Sequence, residues 1–141
     1  MTRRTDREAE REALRAVLAA ERESTSGRVA DLSRSLDDIV EAAALEVPDD
    51  EHDPEGHTIG FERAQVAALL EAARAHLAEV DGAAARLEAG AYGDCGRCGR
   101  PITYERLLAR PTAQACVACA SARAPGQGRV RTRPGSRAAE V

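Results

Sequence analysis

The chain contains very few aromatic side chains and no lysine. Tryptophan is absent, Phe and Tyr together number three, and all 20 basic residues are arginine. So few large apolar side chains argue against a thick globular core, while a composition dominated by Ala, Glu, Arg and Leu favours helices. For 141 residues we therefore predict a mainly α protein with an elongated helical body.

Long apolar runs are also missing from the sequence. No segment approaches the roughly 20 apolar residues that cross a bilayer, and the charged N-terminus lacks the apolar region of a signal peptide. We expect a soluble, cytoplasmic protein without a membrane partner. In a reducing compartment, paired cysteines serve as metal ligands more often than as disulfides.

The net charge of −4 is small, but its distribution is uneven. Residues 47–60 hold five acids and no arginine, whereas residues 91–124 hold five arginines against two acids. Residues 125–141 hold four arginines, one acid and too few apolar side chains to bury. We expect this Arg-rich tail to be disordered.

Two stretches of the chain carry apolar residues at heptad spacing. The first runs from about Asp6 to Glu46. The second follows Asp53 and Pro54, which are typical of the N-cap and first position of a helix, and ends near Gly90, a typical C-cap. The two stripes are Leu14, Leu18, Val29, Leu32, Leu36, Ile39 and Ala43, then Val66, Leu70, Ala73, Leu77, Val80, Ala84 and Leu87.

Two such stripes joined by a short connection are typical of an antiparallel helical hairpin. The register places Leu18 opposite Leu87 and Leu36 opposite Leu70. We predict that residues 1–90 form a coiled-coil arm of about 50 Å with an acidic tip at 47–58. A hairpin that buries its own seam favours a monomer. The alternative is a compact bundle completed by a partner or a second copy. The segment Glu21–Arg28 is expected to fray or bend the first helix.

Four cysteines lie in a separate segment, residues 91–124, with the spacing Cys-x2-Cys-x17-Cys-x2-Cys. This spacing is typical of an all-thiolate zinc site, and Gly96 and Gly99 are expected to supply the backbone freedom for the first turn. A filled shell of four thiolates leaves no position for water, so the metal is expected to be structural. The predicted ligands are Cys95, Cys98, Cys116 and Cys119.

Alternatives for the cysteines are a redox dithiol or two local disulfides, but no βαβ pattern of a thioredoxin-like fold accompanies them. The finger also carries a basic patch, which either binds phosphate or offsets the charge of the thiolates. It consists of Arg97, Arg100, Arg106 and Arg110.

At these residues the chain resembles the DksA/TraR family of bacterial zinc-finger transcription factors. The resemblance lies in Tyr92-Gly93-x-Cys95-x-x-Cys98-Gly99, Ile102, Arg106-Leu107-x-Ala109-Arg110-Pro111-Thr112-Ala113 and Cys116-x-x-Cys119. It implies a two-helix coiled-coil arm, a small zinc finger and a short C-terminal helix. It also implies a protein that binds RNA polymerase, inserts the arm into the secondary channel and reads no DNA sequence.

The resemblance assigns the polymerase-facing role to the acidic tip, although hairpin connections are often charged merely because they are solvated. The family pattern Asp-x-x-Asp-x-Ala falls on Asp53–Thr58, where only Asp53 is retained. The predicted tip residues are Asp49, Asp50, Glu51, Asp53 and Glu55.

Many members of the family act with guanosine tetraphosphate, which makes this alarmone a candidate co-effector. Arg110 matches a basic finger position, but two other positions that are usually basic fall on Glu79 and Ala120.

The sequence shows no nucleophile elbow, phosphate-binding glycine loop or catalytic carboxylate pair, so we expect no enzyme. Two other functions stay open. One is a zinc-ribbon module that binds nucleic acid through its arginines, for which only Tyr92 and Tyr104 could stack on bases. The other is an adaptor that releases zinc when its thiols are oxidised.

Overall fold

The computed structural model describes the backbone of residues 2–45 and 54–122 and the side chains of residues 6–45 and 58–122. It contains four helices: α1 (Thr2–Leu45), α2 (Pro54–Glu88), α3 (Tyr104–Ala109) and α4 (Val117–Ser121). Within these ranges there is no strand, only an isolated antiparallel bridge between Asp94 and Pro101. The predicted fold, a helical hairpin with a four-cysteine finger and a short C-terminal helix, is confirmed.

The two long helices pack against each other and form the arm. At 1.5 Å per residue, the 44 residues of α1 extend about 66 Å and the 35 residues of α2 about 52 Å. α1 continues through Glu21–Arg28, so the weak segment does not interrupt it. α2 begins at Pro54, as its turn chemistry predicts, and ends at Glu88 just before Gly90, whose φ is +74°.

The hydrophobic seam is tight near the finger and loose towards the tip. Between residues 26 and 69, no described side chain is buried, and the predicted seam residues Leu36 and Ile39 are only half-buried. Phe61 is exposed over 71% of its surface. The buried residues of the arm are Leu14, Leu18, Thr25, Leu70, Ala73, Val80, Ala83 and Leu87.

Polar pairs across the arm show the register of the two helices. Arg15 Nε lies 2.8 Å from Glu88 Oε1, and Arg22 Nε lies 2.7 Å from Asp81 Oδ1. These pairs agree with the predicted register, because Leu18 and Leu87 also lie in one buried cluster. The antiparallel hairpin therefore has the alignment that the two apolar stripes predicted.

Asp49, Asp50, Glu51 and Asp53 of the predicted tip lie outside the described residues, as does the whole Arg-rich tail. Glu55 belongs to α2, but its side chain is not among those described. None of the described helices combines the length and the apolarity that a membrane span requires.

Candidate metal centre

A tight turn between Asp94 and Pro101 presents the first two cysteines. The amide of Cys95 donates to the carbonyl of Arg100 at 2.8 Å, and the amide of Gly99 donates back to the carbonyl of Cys95 at 2.8 Å. Gly99 has a φ of +70°, a value that residues other than glycine rarely adopt. The sequence predicted this freedom for Gly96 as well, but Gly96 is not among the positive-φ glycines. Its amide instead donates to the carbonyl of Gln114 at 2.9 Å.

The second pair of cysteines lies at α4. Cys116 is the N-cap residue of this helix and Cys119 lies one turn later, so both sulfurs face the same side. The guanidinium of Arg97 donates to the carbonyl of Cys119 at 2.7 Å, which ties α4 to the first turn. The bond between the Gly96 amide and the Gln114 carbonyl joins the first turn to the segment that precedes α4.

The four sulfur atoms form one compact cluster. All four lie within 4.8 Å of one another, and Cys98 Sγ lies 3.8 Å from Cys116 Sγ. A disulfide would need about 2.05 Å, whereas four sulfurs each about 2.3 Å from one ion are separated by about 3.8 Å. All four cysteines are free thiols, so the disulfide alternative does not hold for this structure.

The thiols differ in their affinity for a proton. Backbone contacts from Cys116, Arg97 and Cys98 lower the pKa of Cys95 to about 6, while sulfur contacts from Cys98 and Cys116 raise the pKa of Cys119 to about 12. The guanidinium of Arg100, 3.5 Å from Cys98 Sγ, is the main cause that lowers the pKa of Cys98. The thiolate form is therefore favoured at Cys95 and Cys98, whereas the neighbouring sulfurs disfavour a further negative charge at Cys119.

This donor set fits one structural zinc ion. A divalent cation among the sulfurs supplies the charge that four adjacent thiolates need, and four protein ligands leave no open coordination position. The ion would link the turn at Cys95 and Cys98 to the helix at Cys116 and Cys119. Zinc binding and folding of the finger are therefore coupled.

The finger shares its hydrophobic core with the base of the arm. Cys95, Ile102 and Leu107 lie in one buried cluster with Leu18 and Leu87, together with Leu14, Val80 and Ala83. Tyr92 packs at the edge of the cluster, and its hydroxyl donates to the carbonyl of Pro111 at 2.7 Å. The core thus crosses the boundary at residues 90 and 91 that the sequence predicts between arm and finger.

Three arginines of the predicted basic patch make contacts within the finger. Arg97 and Arg100 contact Cys119 and Cys98, as described, and Arg106 donates to the carbonyl of Ala115 at 3.0 Å. Arg110 is exposed at the end of α3. Much of the positive charge is therefore used to brace the metal centre, and phosphate binding by the patch stays a prediction.

Three positions of this chain, Glu79, Arg110 and Ala120, correspond to usually basic positions that the family uses for the alarmone, and they lie on different elements. Glu79 is on α2, where its carboxylate lies 3.6 Å from Nδ1 of His76, and Ala120 is exposed on α4. Arg110 follows α3. Of these three positions, only Arg110 offers a cation to the phosphates of the alarmone, and a role for guanosine tetraphosphate stays a prediction.

Sequence reasoning missed the polar contacts that join the two long helices at the base of the arm. The guanidinium of Arg11 donates to the carbonyl of Leu87, and Arg15 forms a forked pair with Glu88. A signal for the second contact was available, because the register that aligns the apolar stripes also brings Arg15 beside Glu88. A bond to a backbone carbonyl, in contrast, leaves no mark in the residue pattern.

Comparison with known proteins finds similarity both in sequence and in structure. Residues 90–123 match the family model described as the prokaryotic dksA/traR C4-type zinc finger. The structure is similar to that of transcription factor DksA2 from Pseudomonas aeruginosa, with a TM-score of 0.67 and 32% sequence identity over 80% of this chain and 81% of that chain. A segment of 46 residues is 46% identical to an uncharacterized protein of Aquifex aeolicus (strain VF5). That match spans 33% of this chain and about a third, 32%, of the relative.

Proposed function

The chain belongs to the DksA/TraR family of C4-type zinc-finger proteins, and we propose that it regulates transcription by binding RNA polymerase through the secondary channel. The observation that carries the proposal is the combination, in one chain, of the closed four-thiol centre with the long two-helix arm. The similarity to DksA2 spans both parts, because it covers 80% of the chain. In this proposal the finger docks on the polymerase and the arm enters the secondary channel.

The shape of the arm supports insertion into a narrow channel. Two paired helices, each about 10–12 Å across, form a slender rod that extends about 50 Å from the finger. The outer half of the rod also carries a net negative charge. Its exposed acids Asp31, Asp37, Asp38, Glu41 and Glu62 outnumber the exposed arginines Arg28, Arg34 and Arg63.

The acidic tip is the part that we assign to the active centre of the polymerase. Asp49, Asp50, Glu51, Asp53 and Glu55 give it its charge in the sequence, and only Asp53 coincides with the family's acidic pair. A carboxylate-rich tip favours cations and repels phosphates at the place where nucleotides are joined. We expect the tip to change the stability of promoter complexes by this means.

The structure gives less support to nucleic-acid binding by the finger. Both tyrosines of the finger, Tyr92 and Tyr104, pack against the hydrophobic core, and Tyr92 is also held by Pro111. Base stacking requires an aromatic face open to the ligand. We therefore propose a protein partner, with no reading of DNA sequence.

The remaining parts of the proposal follow from this role. A closed metal site without an open coordination position does no chemistry, so the protein acts as a regulator and not as an enzyme. Its partner is in the cytoplasm, and a hairpin that packs against itself needs no second copy. We therefore propose a cytoplasmic monomer.

Reconstituted transcription tests the role of the tip. The zinc-loaded protein is added to its cognate polymerase and compared with a variant carrying Asp49→Ala, Asp50→Ala and Asp53→Ala. The matched control carries Asp31→Ala, Asp37→Ala and Asp38→Ala, which removes the same charge from the side of the arm. We expect the tip variant alone to lose most of the effect on transcript yield. Equal yields with wild type and tip variant would refute the assignment.

A further inference from the structure

The junction between arm and finger depends on a short connection. α2 ends at Glu88, and Gly90 and Gly93 follow with φ of +74° and +99°. Beside this connection lies a cleft of about 240 Å³, whose lining includes Leu14, Leu87 and Leu107. The shared core is therefore open to solvent beside this connection, where Arg11 also lines the cleft.

One side chain of α1 forms hydrogen bonds with the end of α2, where the connection to the finger begins. The Nη2 atom of Arg11 donates to the carbonyl oxygen of Leu87 at 2.6 Å and to that of Glu88 at 3.3 Å. These carbonyls belong to the last turn of α2, which lacks the regular helical amides four residues on as partners. A guanidinium there also complements the negative end of the helix dipole.

The backbone after Glu88 leaves α2 through a tight, hydrogen-bonded turn. The amide of Ala91 donates to the carbonyl of Arg86 at 2.9 Å and the amide of Gly90 to that of Leu87 at 3.3 Å, which is the pattern of a Schellman motif. Arg11 therefore binds the last turn of α2, after which the chain enters the finger. Arg15 holds the neighbouring Glu88 carboxylate with Nε and Nη2, at 2.8 and 3.2 Å.

We propose that Arg11 is a positioning residue that sets the direction in which the zinc finger projects from the arm. The consequence for polymerase rests on the proposed function: a protein that docks by its finger and probes by its arm needs a fixed angle between the two. Loss of the Arg11 bonds frees the last turn of α2, so that the finger takes a wider range of directions about Gly90 within the limits that the shared core sets.

Distance measurements between two spin labels test the proposal on the free, zinc-loaded protein. One label replaces Ala72 on α2 and the other Ala120 on α4, both of which are exposed. The labels are attached to a genetically encoded azide-bearing amino acid, because thiol reagents would attack the four cysteines. Zinc content and helical circular dichroism are measured first, so that only folded variants are compared.

The test variant is Arg11→Met, which keeps the apolar stem and removes the donors. Its matched control is Arg22→Met, which breaks the pair with Asp81 in the arm, away from the junction. We expect a broader distance distribution for Arg11→Met, an unchanged one for Arg22→Met and an intermediate one for Arg11→Lys, which keeps the charge and a single donor nitrogen. A wild-type width in every folded Arg11 variant, or equal broadening in Arg22→Met, would overturn the proposal.

Affinity for RNA polymerase is then measured separately. We expect Arg11→Met to bind about tenfold more weakly, as for the loss of one charge-assisted hydrogen bond, and Arg22→Met to bind normally. Broadening without any polymerase binding by the wild type would uphold the role of Arg11 and refute the proposed function. Broadening with undiminished binding by Arg11→Met would overturn the link between finger direction and docking.

Discussion

The Nε2 atom of His76 on α2 lies 2.7 Å from Oε1 of Glu21 on α1. Its Nδ1 atom lies 3.6 Å from Oε2 of Glu79. The hydrogen bond with Glu21 is the main cause that raises the pKa of His76 above its ordinary value, while partial burial acts in the opposite direction. When protonated, His76 therefore forms an ion pair that links the two helices in the middle of the arm.

This contact predicts that the arm becomes less stable as pH rises. Because the pKa of His76 is raised in the folded state, its stabilisation is complete below about pH 6.5 and disappears as pH rises through the folded-state pKa. The effect should stay below about 1 kcal/mol because both side chains are 41% exposed. Thermal unfolding at pH 6 and pH 8.5 measures it.

The variant His76→Gln should lose this part of the pH dependence. Glu71→Gln is the control, since Glu71 pairs with Arg74 on its own helix and does not join α1 to α2. It should keep the dependence of the wild type. An unchanged pH profile in His76→Gln would show that the histidine does not stabilise the hairpin through its charge.

The uneven burial along the seam predicts an uneven response to truncation. Leu18 is 2% exposed, so Leu18→Ala should destabilise the fold by about 2–5 kcal/mol. Leu36→Ala removes the same atoms from a half-buried position and should cost less than half as much. Urea denaturation followed by circular dichroism compares the two. Equal losses would mean that the seam is packed uniformly along the arm.

The metal centre predicts that loss of one thiolate unfolds the finger and loosens the base of the arm, because the two share one buried cluster. Cys98→Ser should bind zinc much more weakly than the wild type, because its sulfur lies 3.8 Å from Cys116 within the four-sulfur cluster. Ser121→Ala, at the last residue of α4, should bind one zinc per chain as the wild type does. Zinc content by mass spectrometry and helicity by circular dichroism are the measurements. Full zinc occupancy in Cys98→Ser would contradict a four-thiolate site.

The sequence predicted those parts of the fold that depend on local chemistry or on periodicity. Pro54 marks the start of α2 because its ring presets a helical φ, and Gly90 marks the departure of the chain because few other residues adopt a positive φ. The spacing of Cys95, Cys98, Cys116 and Cys119 predicted a cluster that the structure brings within 4.8 Å.

Other features depend on packing that no local pattern encodes. The stripe continues through Leu36 and Ile39 with unchanged spacing, yet on α1 no side chain beyond Thr25 is buried. Gly96 was expected to need backbone freedom, but its constraint is a hydrogen bond to Gln114, 18 positions along the chain. Arg11 reaches a backbone carbonyl, for which any residue at position 87 would serve.

Photo-crosslinking to RNA polymerase tests the central claim most directly. A photoreactive amino acid replaces Leu45, which is 83% exposed at the end of α1 nearest the tip, in the zinc-loaded protein. A second protein carries it at Ala19, which is exposed near the base of the arm. We predict that position 45 crosslinks to polymerase segments beside the active centre and that position 19 does not. Crosslinks from position 45 only to the outer surface of the polymerase, or none at a saturating concentration, would contradict insertion of the arm.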